Sequence, residues 1–125
     1  MIKNLLLIGA GGFAGSIARY LVSKLNITVS LFAIPVGTLV VNVAGSFVIG
    51  FLIGIADKTT ILSTGWRMFL MVGLCGGFTT FSTFTGENLV LLHNGQYAAL
   101  LTYSALSIIL GFSAVYFGYA ITNIL

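Results

Sequence analysis

The stretch GGFTTFSTFTGE at residues 76–87 has side chains of the types and spacing needed to handle a small anion. Phe81 and Phe84 stand three apart and can share one face of a helix. Thr80 and Ser82 flank the first ring, and Thr83 and Thr85 the second. A phenyl ring is negative on its face and positive at its edge, so ring edges interleaved with hydroxyls make a ladder of weak donors. Asn42, within GTLVVNVAGS, adds two N–H donors, and Thr38 lies one turn earlier on the same face. Tyr103 and Ser107, one turn apart, supply a second wall of hydroxyls. Arg19 is a cation at the end of an apolar tract, where it can draw in anions or snorkel to headgroups. Each of these residues also has a plain structural reading. Asn42 can be glue between helices, the phenylalanines core packing, and Tyr103 an interfacial marker.

The same inventory excludes other chemistry. The only acidic residues are Asp57 and Glu87, and Glu87 falls at the end of the third apolar tract. A small multidrug-type, proton-coupled exporter, the alternative for a chain this short, needs a Glu embedded in its first span, and none is there. No nucleophile–base pair, metal-ligand cluster or phosphate loop occurs, so an enzyme is not expected. Gly9-Ala10-Gly11-Gly12-Phe13-Ala14 fits the dinucleotide fingerprint G-x-G-x-x-G/A, but no Asp or Glu precedes Asp57 to hold a ribose and no βαβ context surrounds it. The net charge of +3 is small and unclustered, which argues against nucleic acid as a partner.

The elements that must position these side chains follow from composition. The chain is 58% hydrophobic and 6% charged, against about 25% charged in a soluble domain. Its solvent is the lipid bilayer. Residues 25–56 and 68–86 carry no charge, and from Asn88 onwards there is no Asp, Glu, Lys or Arg and a single histidine, His93. The apolar runs are continuous rather than alternating, which favours helices over barrel strands. The expected architecture is an all-α membrane protein, a single domain over 1–125 with four transmembrane helices, roughly 4–24, 34–56, 67–92 and 97–122. Pro35 suits the first turn of the second helix, while residues 57–60 and 93–96 are polar connections. Gly76, Gly77, Thr79 and Thr80 are poor helix formers, so the third helix is expected to break mid-membrane. Irregular backbone at that depth survives only where protein buries it or it lines an ion site.

Gly11 and Gly15, and Gly50 and Gly54, are spaced for close helix–helix approach. Cys75 is read as a small core residue. Lys3 followed by Leu5–Ile8 has the look of a signal peptide, but the tract matches a full span and similar spans follow it. The positive charges divide almost evenly, with Lys3, Lys58 and Arg67 towards one side and Arg19 and Lys24 towards the other. A chain so balanced can insert either way round. Four short helices leave little room for a polar route of their own, so a homodimer is expected, and mixed orientation allows an antiparallel one.

At this point GTLVVN on the second span and GLCGGFTTFSTFTGE on the third resemble the signature of the Fluc family of bacterial fluoride channels, over essentially the whole chain. The resemblance implies an antiparallel, dual-topology homodimer in the bacterial inner membrane, with two fluoride pathways each built from both subunits. It implies passive fluoride efflux that lowers the cytoplasmic level. It implies a central structural Na⁺, not transported, held by backbone carbonyls at Gly76 and Thr79. It assigns Phe81, Phe84 and Asn42 to the fluoride pathway, with Thr80, Ser82, Thr38, Tyr103 and Ser107 as its hydroxyl track, and Arg19 and Glu87 to the vestibules. Some members carry one more hydroxyl a turn past Ser107, where this chain has Gly111.

Overall fold

A computed structural model describes residues 1–25 and 30–125. Among them, four helical stretches are long and apolar enough to cross a membrane: Ile2–Ser23, Val36–Lys58, Thr64–His93 and Tyr97–Ile121. Each lies over one of the expected tracts. The physical reason is the lipid solvent, in which a crossing segment satisfies its backbone N–H and C=O groups by coiling on itself.

Helix α1 is Ile2–Ser23. A small antiparallel hairpin follows, β1 (Ser30–Leu31) and β2 (Ile34–Pro35), pairing Ser30 with Pro35 and Leu31 with Ile34. Its two turn residues, Phe32 and Ala33, sit at φ 53° and 64°, a left-handed conformation costly for residues with a Cβ. Pro35 therefore differs from expectation. It closes the hairpin and caps the second span, and helix α2 (Val36–Lys58) starts one residue later. A residue without an N–H is tolerated at a sheet edge as well as in a first helical turn.

Helix α2 packs along α6 (Tyr97–Ile121), the last helix. Gly50 sits against the Val115 carbonyl and Gly118 against the Phe47 carbonyl, so each helix meets the other's bare backbone. The far end of this pair is closed by Lys58. Its Nζ donates to Thr122 Oγ1 at 2.7 Å and to Asn123 Oδ1, and lies 5.2 Å from the centre of the Tyr119 ring.

The third span is a composite of α3 (Thr64–Arg67), a π-helical stretch (Met68–Cys75), α4 (Gly76–Phe78) and α5 (Phe81–His93). Ser63 caps its start by accepting from the Trp66 N–H. Helix α5 ends in a Schellman motif, with Gly95 at φ 70° donating to Leu92 O and Gln96 N donating to Leu91 O. Helix α1 lies along the π-helical stretch. A Cβ on Gly11 would overlap Phe69 O, one on Gly15 would overlap Leu74 O, and one on Gly77 would come within 2.6 Å of Gly12 O.

These contacts sort the chain's ends. Gly65 lies beside Leu7, and Lys58 holds Thr122, so the start of α1, the 58–67 connection and the end of α6 share one end of the bundle. The hairpin residues Phe32–Ile34 and the α5–α6 turn share the other, around a common depression.

The α1 contact gives a direct test. Gly15→Val forces a side chain into a carbonyl and is expected to destabilise by at least about 1–3 kcal/mol. Gly9→Ala, whose Cβ meets nothing within 4 Å, is expected to leave stability unchanged. Thermal unfolding of the two purified variants in detergent compares them directly, and equal midpoints would contradict the packing.

Candidate functional site

The backbone of the third span leaves the helical region at Thr79 (φ −79°, ψ 155°) and Thr80 (φ −150°, ψ 123°), and resumes at Phe81. Two N–H groups are thereby redirected. In an uninterrupted helix Thr80 N–H would bond Gly76 O and Thr83 N–H would bond Thr79 O. Here Thr80 N donates to Asn42 Oδ1 at 2.8 Å, and Thr83 N donates to Thr80 Oγ1 at 3.2 Å. The carbonyls of Gly76 and Thr79 lose their usual donors as a result. Asn42 completes the arrangement through its Nδ2, which donates to Thr80 O at 3.0 Å. The side-chain amide of α2 thus pairs with both backbone groups of one extended residue, as a neighbouring strand would. Ser46, one turn on, donates to Asn42 O at 2.7 Å.

Around this point lies an open cleft of about 520 Å³, lined among others by Asn42, Thr79, Thr80, Phe81, Phe84 and Ser107. Gly76 also faces it, with open space where its Cβ would stand. The Ser107 Oγ is buried here without a hydrogen-bond partner. A second depression of about 190 Å³ is lined by Ser16, Arg19, Thr38, Thr80 and Thr83. Thr80 borders both, so it connects the Arg19 side to the cleft. Its hydroxyl lies 3.1 Å from that of Thr83.

The rings form a chain. Phe81 and Phe84 have centroids 5.9 Å apart, and Phe84 meets the Tyr103 ring edge-on at 5.0 Å. Phe81 is 77% exposed, whereas Tyr103 is fully buried. The Tyr103 hydroxyl donates to Glu87 Oε1 at 3.2 Å, and Thr38 also hydrogen-bonds the Glu87 carboxylate. Thr38, Glu87 and Tyr103 therefore act as one hydrogen-bonded group drawn from three helices.

Most of the residues singled out from sequence come together, though not all in the manner expected. Asn42 spends one N–H and its carbonyl on Thr80, so a donor pair free to face a ligand is replaced by a backbone clamp with a single N–H to spare. Glu87 is bound to track residues. Ser82 stands apart from both depressions, exposed on α5. Ser46, one turn from Asn42 in the sequence, also lines the cleft. The π-helical stretch carries no recognisable mark in MFLMVGLC.

Comparison with known proteins now decides the family. The model described as "CrcB-like protein, Camphor Resistance (CrcB)" matches residues 6–119. The chain belongs to the CrcB-like family. Its curated relatives include a protein of Azobacteroides pseudotrichonymphae, 41% identical over 98% of both chains. Another, from Chlorobium luteolum, is 48% identical over 92% of this chain and 88% of its own. A third, from Chlorobaculum tepidum, is 51% identical over 80% of each. All three are named "Fluoride-specific ion channel FluC". The CrcB-like match reaches into all four spans and includes both motifs that carried the resemblance to Fluc channels.

The clamp yields a prediction of its own. Asn42→Leu removes both bonds to Thr80 and leaves two backbone groups unpaired, at a cost of about 1–3 kcal/mol for each group left buried. Amide hydrogen exchange of Thr80 is expected to rise at least tenfold in this variant, while that of Leu52 on the same helix stays as in the parent. Unchanged Thr80 exchange would show that the clamp is not a stabilising contact.

Proposed function

We propose that the protein is a fluoride-specific channel giving passive efflux of the ion across a bacterial inner membrane. The observation that carries this reading is the donor-lined cleft at the Thr79–Thr80 interruption, in a chain whose relatives are named fluoride-specific channels. Fluoride is small and strongly hydrated. It can shed water only where many groups each replace part of the shell, and no single site may hold it too tightly for exit. The unpartnered Ser107 hydroxyl, the second Asn42 N–H and the positive edges of Phe81 and Phe84 are donors of that graded kind. No carboxylate is among the residues lining the cleft, so no formal negative charge there opposes an anion. Arg19, bordering the depression that Thr80 shares, raises the local concentration of anions at the entrance. Tyr103 holds Phe84 edge-on and keeps Glu87 occupied, which keeps that carboxylate from acting as a free acceptor beside the track.

The cleft is open on one side, and its hydroxyls are costly against lipid. We infer that a second copy covers it. Phe81 is exposed, and Gly76 has room for close approach. The near balance of Lys3, Lys58 and Arg67 against Arg19 and Lys24 permits opposite insertion of the two copies. An antiparallel dimer built this way carries two pathways, each lined from both subunits, with the interruption at membrane depth. The carbonyls of Gly76 and Thr79, deprived of their helical donors, suit a hard monovalent cation such as Na⁺. When bound there, the ion would neutralise these carbonyl dipoles at the meeting of the two copies. Gly76 and Thr79 would hold it, and it would not be carried through.

Reconstitution in liposomes tests the reading. With a K⁺ ionophore balancing charge, we predict rapid fluoride release and no chloride release; absence of fluoride flux, or dependence on a proton gradient, would overturn a passive channel. Phe84→Ile is predicted to lower fluoride flux at least a hundredfold while the oligomer stays intact on size-exclusion chromatography. Parental flux in that variant would remove Phe84 from the pathway.

A further inference from the structure

The end of the bundle away from the hairpin carries a feature that ion conduction does not use. A crevice of about 390 Å³ is lined by Lys3, Leu7, Ser63, Gly65, Trp66 and Phe69. It adjoins, through Ser63, a more polar depression that includes Thr60, Thr64 and Arg67. Asp57 is the carboxylate bordering this depression, and Lys58, beside it, is held by Thr122 and Asn123. The Arg67 guanidinium is fixed in place, with Nε donating to Leu62 O at 3.2 Å and Nη2 donating to Ala56 O at 3.3 Å. Two of its five N–H groups are used, which leaves a pre-oriented cation with donors to spare. Trp66 is exposed and stands edge-on to Phe69 at 6.0 Å.

We propose that this crevice binds the phosphodiester headgroup of an anionic phospholipid. Lys3 and Arg67 flank the headgroup, Ser63 donates its hydroxyl, and an acyl chain follows the wall made by Leu7, Trp66 and Phe69. Three observations favour a lipid over a soluble phosphate. The wall is apolar. It continues into the exposed apolar face of α1, where Leu6 and Phe13 are uncovered. Trp66 has the amphipathic ring that settles at the membrane–water boundary. The sign of the charge selects an anionic headgroup over a zwitterionic one, at a level set by two cations near the surface. The reading is independent of what the cleft at Thr80 conducts.

Trp66 is the only tryptophan in the chain, so its fluorescence reports this crevice alone. The full protein is reconstituted in phosphatidylcholine vesicles containing a small fraction of dibrominated phosphatidylglycerol or dibrominated phosphatidylcholine. We expect half-maximal quenching of Trp66 at about tenfold lower mole fraction of the brominated anionic lipid. Lys3→Gln should reduce that preference about threefold, and Lys3→Gln with Arg67→Gln should abolish it, with the Trp66 emission maximum in pure phosphatidylcholine unchanged. Lys24→Gln, at the opposite end, should retain it. Equal quenching by the two lipids in the parent overturns the proposal. So does an undiminished preference in Lys3→Gln, or a loss in Lys24→Gln as large as in the Lys3 variant. Millimolar glycerol phosphate added to the parent should leave quenching unaltered; if it relieves the quenching, the crevice is a site for soluble phosphate and the lipid assignment fails.

Discussion

A peptide group taken out of a helix within a membrane span has no water to turn to and must find a partner in the protein. This chain meets that constraint at Thr79 and Thr80, and the Asn42 amide answers most of it. By pairing with both the N–H and the carbonyl of Thr80, it lets the backbone run extended without stranding either group. Thr80 then becomes a cap as well as a clamped residue, because its hydroxyl takes the Thr83 N–H and starts α5. One half-buried amide thus sets where the second half of the span begins, and hence where Phe81 and Phe84 point.

The rest of the bundle supports that placement. Helix α2, which carries Asn42, is held to α6 by backbone-to-backbone contacts at Gly50 and Gly118 and tied at its end by Lys58. Helix α1 is held equally close to the π-helical stretch just before the interruption. Small residues do here what apolar side chains do in water-soluble cores. Between helices in lipid there is little hydrophobic drive, so close van der Waals approach supplies the attraction.

The polar residues fall into two groups with different chemistry. Thr38, Glu87 and Tyr103 satisfy one another, and Tyr103 is fully buried against Phe84. That group is finished within one chain. The cleft is not, since Ser107 keeps an unpartnered hydroxyl there and Gly76 faces open space. A self-satisfied scaffold thus stands beside an open, donor-bearing surface in the same chain.

Much of this was readable from the chain. Continuous apolar tracts divided by a few charges dictate four membrane-crossing helices, because composition alone decides whether a segment can leave water. The glycine spacings in α1 and α2 marked the faces of close approach, since a missing Cβ is a local property. The motifs at 37–42 and 73–87 were long enough to point to the family that comparison then established. Other features came only with the fold. Asn42 and Thr80 are 38 residues apart in sequence, and nothing local says that an amide with free donors will spend them on one distant residue. Glu87 likewise gains its partners from two other helices, and Ser82 is turned away from the cleft by the helical phase that Thr80 imposes. Side-chain types and their local periodicity are written in the sequence, whereas which polar group satisfies which is decided by where the helices cross.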